Sequence, residues 1–387
     1  MKKVIISVLM FSMIFHAYSQ GDFYVAAYVW PSCHDDPIAR EKIWTEGRGE
    51  WEVINRGNPR YPGHYQPKEP LWGYEMDNDP NVIEKWIELA TNHGVNVFIY
   101  DWYWYNGGPF LESALNDGFL KARNNEEMYF YLMWANHSMP LNLVNVHLYQ
   151  GDNSIVWEAA VDWENYKIIV ERVIRQYFTK PNYFKIDGYP VFGVFDIGKL
   201  LQSFGGSVEE TRKGLDYFRE EAKKAGLPGV HFQWNPSGNQ IRTAERIKRD
   251  SEFIEAIGFD SVTTYNMEGM DEDYITYGSQ SQIMWDMWDE TLNIPYFPCI
   301  SVGWDDTPRF PRKGREGTVH YNKSPQTFAT MLYKAKEFAS RHPNRTRLIT
   351  INAWNEWVEG SYLLPDMKYG FDYLEAVRDV MNGKYDR

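Results

Sequence analysis

The chain has 387 residues, 43% hydrophobic and 24% charged, enough to bury a large core without disulfide or metal staples. Its formal net charge of −13, with no basic stripe, argues against nucleic acid as a partner, because nothing is present to neutralise phosphates. Aromatic residues make up 17% of the chain, and many stand beside Asn, Asp, Glu or His. Rings flanked by hydrogen-bonding side chains suit sugars, which have apolar C–H faces and polar rims.

The N-terminus reads as an export signal over residues 1–20. Lys2 and Lys3 precede an apolar run from Val4 to Phe15, and the small-residue stretch His16-Ala17-Tyr18-Ser19-Gln20 follows. That run is too short to span a bilayer, and no other segment is long enough. The expected location is periplasmic or secreted, with the folded unit spanning 21–387. Cys33 and Cys299 lie far apart and are expected as free thiols in packed positions.

Eight apolar, β-branched or aromatic runs then recur: Tyr24–Trp30, Val95–Trp102, Tyr129–Ala135, Pro190–Phe195, Val230–Trp234, Ser261–Tyr265, Phe297–Val302 and Leu348–Ala353. Their hydrophobicity is continuous rather than alternating, which predicts strands covered on both faces, as in a parallel sheet. Helical spacing appears between them. It covers Asn81–His93 before Gly94, Trp163–Phe178, Val208–Ala225 before Gly226, and Ser324–Ser340 with its Ser-Pro start. Strands alternating with helices predict an α/β fold, a single (β/α)8 barrel. No Gly-rich phosphate fingerprint follows the first strand, so a dinucleotide-binding sheet is disfavoured. Two long connections, 31–80 and 136–163, are rich in Trp, Tyr, His and Pro and are expected to wall a cleft.

Barrel enzymes carry their chemistry at the C-terminal ends of the strands. Those ends supply Tyr28 and Trp30; Asp101, Trp102 and Tyr103; Trp134 and Asn136; Trp234 and Asn235; and Tyr265. The seventh run supplies Trp304, Asp305 and Arg309, and the eighth supplies Asn355, Glu356, Trp357 and Glu359. Asp101 and Asp305 are expected to orient sugar hydroxyls. Asn136 and Asn235 suit hydroxyl recognition, and Arg309 suits either a nearby carboxylate or an acidic sugar. Glu356 and Glu359 are three apart, so one helical turn or tight bend brings them to one face, roughly 5–6 Å between Cβ atoms. Carboxyl groups about 5–5.5 Å apart are the retaining arrangement in glycoside hydrolysis. Mutual repulsion and surrounding rings would keep one of them protonated. No metal-ligand spacing and no nucleophile elbow is present, so no cofactor is expected.

The segment Asn352-Ala353-Trp354-Asn355-Glu356-Trp357-Val358-Glu359-Gly360-Ser361-Tyr362-Leu363-Leu364-Pro365-Asp366 resembles the signature of the glycoside hydrolase family 99-like, or WbsX-type, group. Supporting matches are Pro62-Gly63-His64-Tyr65-Gln66-Pro67, Gly94 to Tyr103, Trp134-Ala135-Asn136, and Gly303-Trp304-Asp305-Asp306-Thr307-Pro308-Arg309. They also place His64 at the cleft. The resemblance implies a metal-independent retaining enzyme acting on α-linked, manno- or rhamno-configured glycans. It implies that Glu356 draws the proton from the substrate 2-hydroxyl, which attacks C1 to form a 1,2-anhydro sugar. Glu359 would be the general acid and then the base that activates water. Val358 stands where the family's mannosidases carry His, a departure that bears on the sugar. Two rivals follow from the same residues: a polysaccharide glycosyltransferase, the label WbsX-type proteins have carried, and a carbohydrate-binding barrel without catalysis.

Overall fold

The computed structural model describes residues 23–105, 107–310 and 319–386; the predicted export segment lies outside them. Eight parallel strands form the frame: β1 Tyr24–Val29, β2 Val97–Tyr105, β3 Tyr129–Trp134, β4 Tyr189–Val194, β5 His231–Trp234, β6 Ser261–Val262, β7 Cys299–Ser301 and β8 Leu348–Asn352. They pair in the order β6-β5-β4-β3-β2-β1-β8-β7, so chain neighbours are spatial neighbours and β1 meets β8. The remaining seam closes through the Val262–Tyr296 bridge, where Val262 N donates to Pro295 O at 2.9 Å and Phe297 N to Val262 O at 2.8 Å. The predicted (β/α)8 barrel is the observed fold.

Each predicted run contains a strand; five agree at both ends to within one residue, and the second, sixth and seventh differ more, the seventh keeping only Cys299–Ser301. β2 runs on to Tyr105 because Tyr103–Tyr105 pair with Gly108–Phe110 in a hairpin, and β6 extends only over Ser261–Val262, although Thr263 N still donates to Trp234 O at 3.0 Å. All nine residues of β2 are buried, as expected for a strand covered on both faces.

Helices close the outer layer. Those that follow predicted segments are α1 Pro80–Asn92, α2 Trp163–Val173, α3 Val208–Lys224 and, later in the chain, α6 Pro325–Ser340. Asp79 caps α1 by accepting from Asn81 N, and Gly94 turns the chain away at φ 86°. Ser324 and Thr327 form a capping box at α6. Three helices of ten residues or more were not expected from the sequence, beside several shorter ones: α4 Ala244–Ile257, α5 Tyr274–Thr291 and α7 Asp372–Met381. The buried face of α5 includes Gly278 and Ser281 among its rings, so its apolar stripe is diluted in the sequence. Gly278 is there because a Cβ would collide with the Met331 side chain of α6.

Among the described residues no helix is long and apolar enough to cross a membrane. Cys33 and Cys299 are buried free thiols, as expected.

Candidate active site

A cleft of roughly 310 Å3 opens at the C-terminal ends of the strands, at the lower limit of small-molecule sites. Every strand or the loop after it contributes: Trp30, Asp101 and Tyr103, Met133 and Ala135, Phe195, Ser237 and Asn239, Tyr265 and Asn266, Trp304 and Arg309, Glu356 and Glu359. The second long connection adds His137, Met139, Leu143 and Val144 to its wall, as expected. The first long connection lies beside the cleft instead. Its Glu50 is 1% exposed and accepts from Trp30 Nε1 at 2.5 Å and Ser32 Oγ at 3.1 Å.

Of the two geometries expected, a helical turn or a tight bend, the structure has the second: a hairpin turn carries the two candidate carboxylates. Asn355 and Glu356 pair with Tyr362 and Ser361, and Glu359 sits in the turn between them. Gly360 takes φ 61°, and a Cβ on it would stand 2.7 Å from Asp305 Cβ. The turn is pinned to the loop after β7 by Asp305 N donating to Glu359 O at 2.6 Å. Asn355 fixes the other end, donating to Trp30 O at 2.7 Å and accepting from Trp30 N at 2.8 Å.

Arg309 bridges the pair. Its Nη1 bonds Glu359 Oε1, while its Nη2 lies 3.5 Å from both Glu356 Oε1 and Glu50 Oε1. Three carboxylates therefore share one guanidinium in a largely dry site. Burial pushes Glu356 well above its ordinary range, reinforced by Glu359 and opposed by Arg309. Burial also raises Glu359 to about 7, with Arg309 pulling it down. Asp101 is raised well above the usual range by burial, with the Tyr265 hydrogen bond acting against the shift. The Tyr265 hydroxyl lies 3.2 Å from Glu356 Oε2 and 3.3 Å from Asp101 Oδ2, and its one proton can serve either. Asp101 Oδ1, Glu356 Oε1 and Glu359 Oε2 are buried without a hydrogen-bond partner. Unsatisfied buried oxygens are costly and cluster where a ligand supplies the missing bond. Beside them, burial holds His137 below its ordinary pKa and thus neutral.

The structure thus gathers Trp30, Asp101, Tyr103, Tyr265, Trp304, Arg309, Glu356 and Glu359 at one cleft. Other sequence candidates stand elsewhere. Tyr28 and Asn235 fill the barrel interior, where Asn235 Nδ2 donates to the Tyr28 hydroxyl at 2.9 Å and to Gln233 at 3.2 Å. Trp102, Trp134 and Trp234 point outward: Trp102 Nε1 bonds Glu112 at 2.8 Å, Trp134 packs on Tyr166, and Trp234 meets Trp288 edge-on. Asn136 stitches strand ends, its side chain bonding both Asp196 N and Asp196 O at 2.7 Å. Trp357 stacks on Tyr362 at 3.8 Å inside the hairpin. His64 and Asp305 contact each other at 3.0 Å behind the cleft wall, in a second cavity. Sequence reasoning missed Glu50, one of three acids between residues 46 and 52 in the first long connection. It also missed Met133, Ala135 and His137, which alternate with the chosen Trp134 and Asn136.

The fold is similar to that of solved structures. A structure described as a glycoside hydrolase-like protein matches with TM-score 0.60 and 14% identity, over 93% of this chain and 94% of that one. The GH99 endo-alpha-mannosidase from Bacteroides thetaiotaomicron matches with TM-score 0.55 and 16% identity, over 93% and 96%. In sequence, the uncharacterized protein WxcX of Xanthomonas campestris pv. campestris (strain B100) is 24% identical over 375 residues. Its counterpart from strain ATCC 33913 is 25% identical over 374 residues. Each alignment takes in 92% of this chain but 49% of the relative, so the chain spans about half the length of the curated relatives it matches. The model of the family described as glycosyltransferase WbsX matches residues 25–377, most of the chain, and the protein belongs to that family.

Proposed function

We propose that the protein is a retaining glycoside hydrolase acting on α-linked glycans whose cleaved sugar is manno- or rhamno-configured. The observation that carries this reading is the buried Glu356–Glu359 pair, bridged by Arg309 and lining the cleft, with Glu359 Oε2 left without a hydrogen bond. In the proposed cycle Glu356 takes the 2-hydroxyl proton as O2 attacks C1 and the C1–O glycosidic bond breaks. Glu359 gives its proton to the departing oxygen. It then takes one from the water that attacks C1 and opens the three-membered ring, while O2 recovers its proton from Glu356. Trp30, Tyr103 and Trp304 supply ring faces for the sugar.

An acid working at neutral pH needs a raised pKa, which Glu359 has. Burial raises Glu356 as well, and its role as base rests on Arg309, which opposes that rise. Arg309 lies against both and stabilises the charge on whichever carboxylate is ionised.

The family's description suggests a transferase instead. A nucleotide-sugar donor would need cations to receive its diphosphate. Among the described residues lining the cleft, Arg309 is the one Lys or Arg, and carboxylates already hold it. That arrangement favours hydrolysis. The Lys2–Gln20 pattern supports export, so the proposed substrate lies outside the cytoplasm.

The test is product release by the chain from residue 21 on a panel of α-mannans, rhamnose-containing polysaccharides and glycans, beside Glu356→Gln and Glu359→Gln. The parent is expected to release sugar, with both variants at least about 100-fold slower, the usual scale of lost acid–base catalysis. An aryl glycoside with a good leaving group should restore the first step in Glu359→Gln but not in Glu356→Gln. Release unaffected by either variant would sink the proposal.

A further inference from the structure

A second cavity of roughly 150 Å3 lies on the far side of the wall carrying Glu359. The wall is one residue thick in sequence: Glu359 and Trp304 face the cleft, whereas their neighbours Gly360 and Asp305 line this cavity. Its chemistry differs from that of the cleft. Lys68, Lys323 and Lys368 all reach it, with Asp305 as the acid among its lining residues. Asp305 is fully engaged, sharing contacts with Lys68 Nζ at 2.8 Å, Gln66 Nε2 at 2.9 Å, His64 Nε2 at 3.0 Å and Thr307 Oγ1 at 2.6 Å.

Two of the lysines are left over. Among the described residues neither Lys323 nor Lys368 has a carboxylate within ion-pair distance. Lys323 Nζ has only the Gly360 carbonyl, at 3.2 Å. Burial, helped by Lys68 and Lys368 and opposed by Asp305 and Asp366, depresses its pKa to about 7, so its charge is held at a cost that an anion at hydrogen-bond distance would reduce. His320 is 7% exposed, and its buried Nδ1 has no partner. Lys368 stands at the mouth over the rings of Tyr65 and Tyr369, at 5.5 and 4.7 Å. A cavity with cations at its floor and rings at its mouth matches a charged substituent on a sugar ring. Its volume is half that of the smaller ligand sites, the size of a substituent group rather than a whole oligosaccharide.

We propose that this cavity is an anion-binding site for an acidic sugar unit, one bearing a carboxylate, sulfate or phosphate group, held by Lys323 and Lys368. The glycan part of the inference rests on the proposed function; the anion site itself does not. The glycan recognised would then be acidic, with the charged unit seated behind the hairpin that carries Glu356 and Glu359.

Binding is read by calorimetry on the chain carrying Glu359→Gln, so turnover does not enter. The probes are a glucuronate-containing oligosaccharide, its carboxyl-reduced form, and sodium sulfate. The acidic oligosaccharide is expected to bind, and to weaken about tenfold or more when Lys323→Met is added, the scale of one lost charged hydrogen bond. Binding of the carboxyl-reduced form should not respond to Lys323→Met. Lys368→Met, at the exposed mouth where folding is not at stake, should weaken the acidic probe in the same direction. Acidic and reduced forms binding alike, or both variants leaving the acidic probe unchanged, would overturn the site. Sulfate binding as tightly as the oligosaccharide would mean a site for a free inorganic anion and would overturn the glycan assignment. A glycosidase that failed on every substrate while this binding persisted would leave the anion site standing.

Discussion

Glu359 is 8% exposed and its carboxyl is raised to about 7, first by burial, although Arg309 pulls it down. A carboxyl whose folded pKa lies above its unfolded value near 4.5 makes folding take up a proton between those limits. Its contribution to stability is full below about 4.5 and is lost as pH rises to about 7, after which the loss is constant. A pKa difference of one between the folded and unfolded chain corresponds to about 1.4 kcal/mol, so the burial cost at pH 8 is on the order of a few kcal/mol. Glu359→Gln removes the titration and keeps the shape. The variant is therefore expected to melt higher than the parent at pH 8 and with it at pH 4, measured by calorimetry at both. Equal melting at pH 8 would mean that Arg309 already neutralises the pair. Stability and activity then oppose each other at one residue, as is common for groups kept for chemistry.

The hairpin Asn355–Tyr362 holds that residue in place, and its anchors are testable. Asn355 satisfies both backbone groups of Trp30, and all four atoms are buried. Asn355→Ala would orphan a buried N–H and a buried C=O, at about 1–3 kcal/mol each. The expected outcome is a loss of about 2–4 kcal/mol in urea denaturation, with turnover falling further than stability because the Glu356–Glu359 geometry loosens. An unchanged midpoint would mean that water replaces the amide. At this scale much was legible in the sequence. The eight strands stand out as runs, and the closing motif falls at the end of the last one, where barrels put chemistry. What failed was the side of the strand. Side chains alternate between faces, so Asp101 and Tyr103 line the cleft while Trp102 turns outward, and Met133 and Ala135 line it while Trp134 does not. Trp134 and Asn136 carry sugar-like chemistry by type, but their parity is wrong. Glu50 was illegible for another reason: only the folded first connection brings it to Arg309, 3.5 Å away.

Across the whole barrel the ladder is uneven. β2 and β3 share six registered pairs from Val97–Tyr129 to Trp102–Trp134. β6 has two residues, paired to β5, and meets the far edge through the single Val262–Tyr296 bridge. A side-chain contact between Thr263 Oγ1 and Thr350 Oγ1 at 2.9 Å reinforces this corner from within. Segments with few shared hydrogen bonds open at lower free energy than the rest of a domain. The seam is therefore expected to exchange its amides first among the barrel strands, with Val262 and Phe297 well ahead of Ile99 and Leu132 in native-state hydrogen exchange. The seam also bears on the cleft, because Tyr265 follows directly from β6 and its hydroxyl stands between Asp101 and Glu356. A sugar that bonds those carboxylates would tie the end of the seam strand to β2 across the barrel and to the hairpin after β8, two strands away. Exchange at Val262 should then slow in the Glu359→Gln variant when a glycan from the panel is bound. Protection that is uniform before and after binding would show instead that the barrel opens as one unit, with Tyr265 held by the core and not by its ligand.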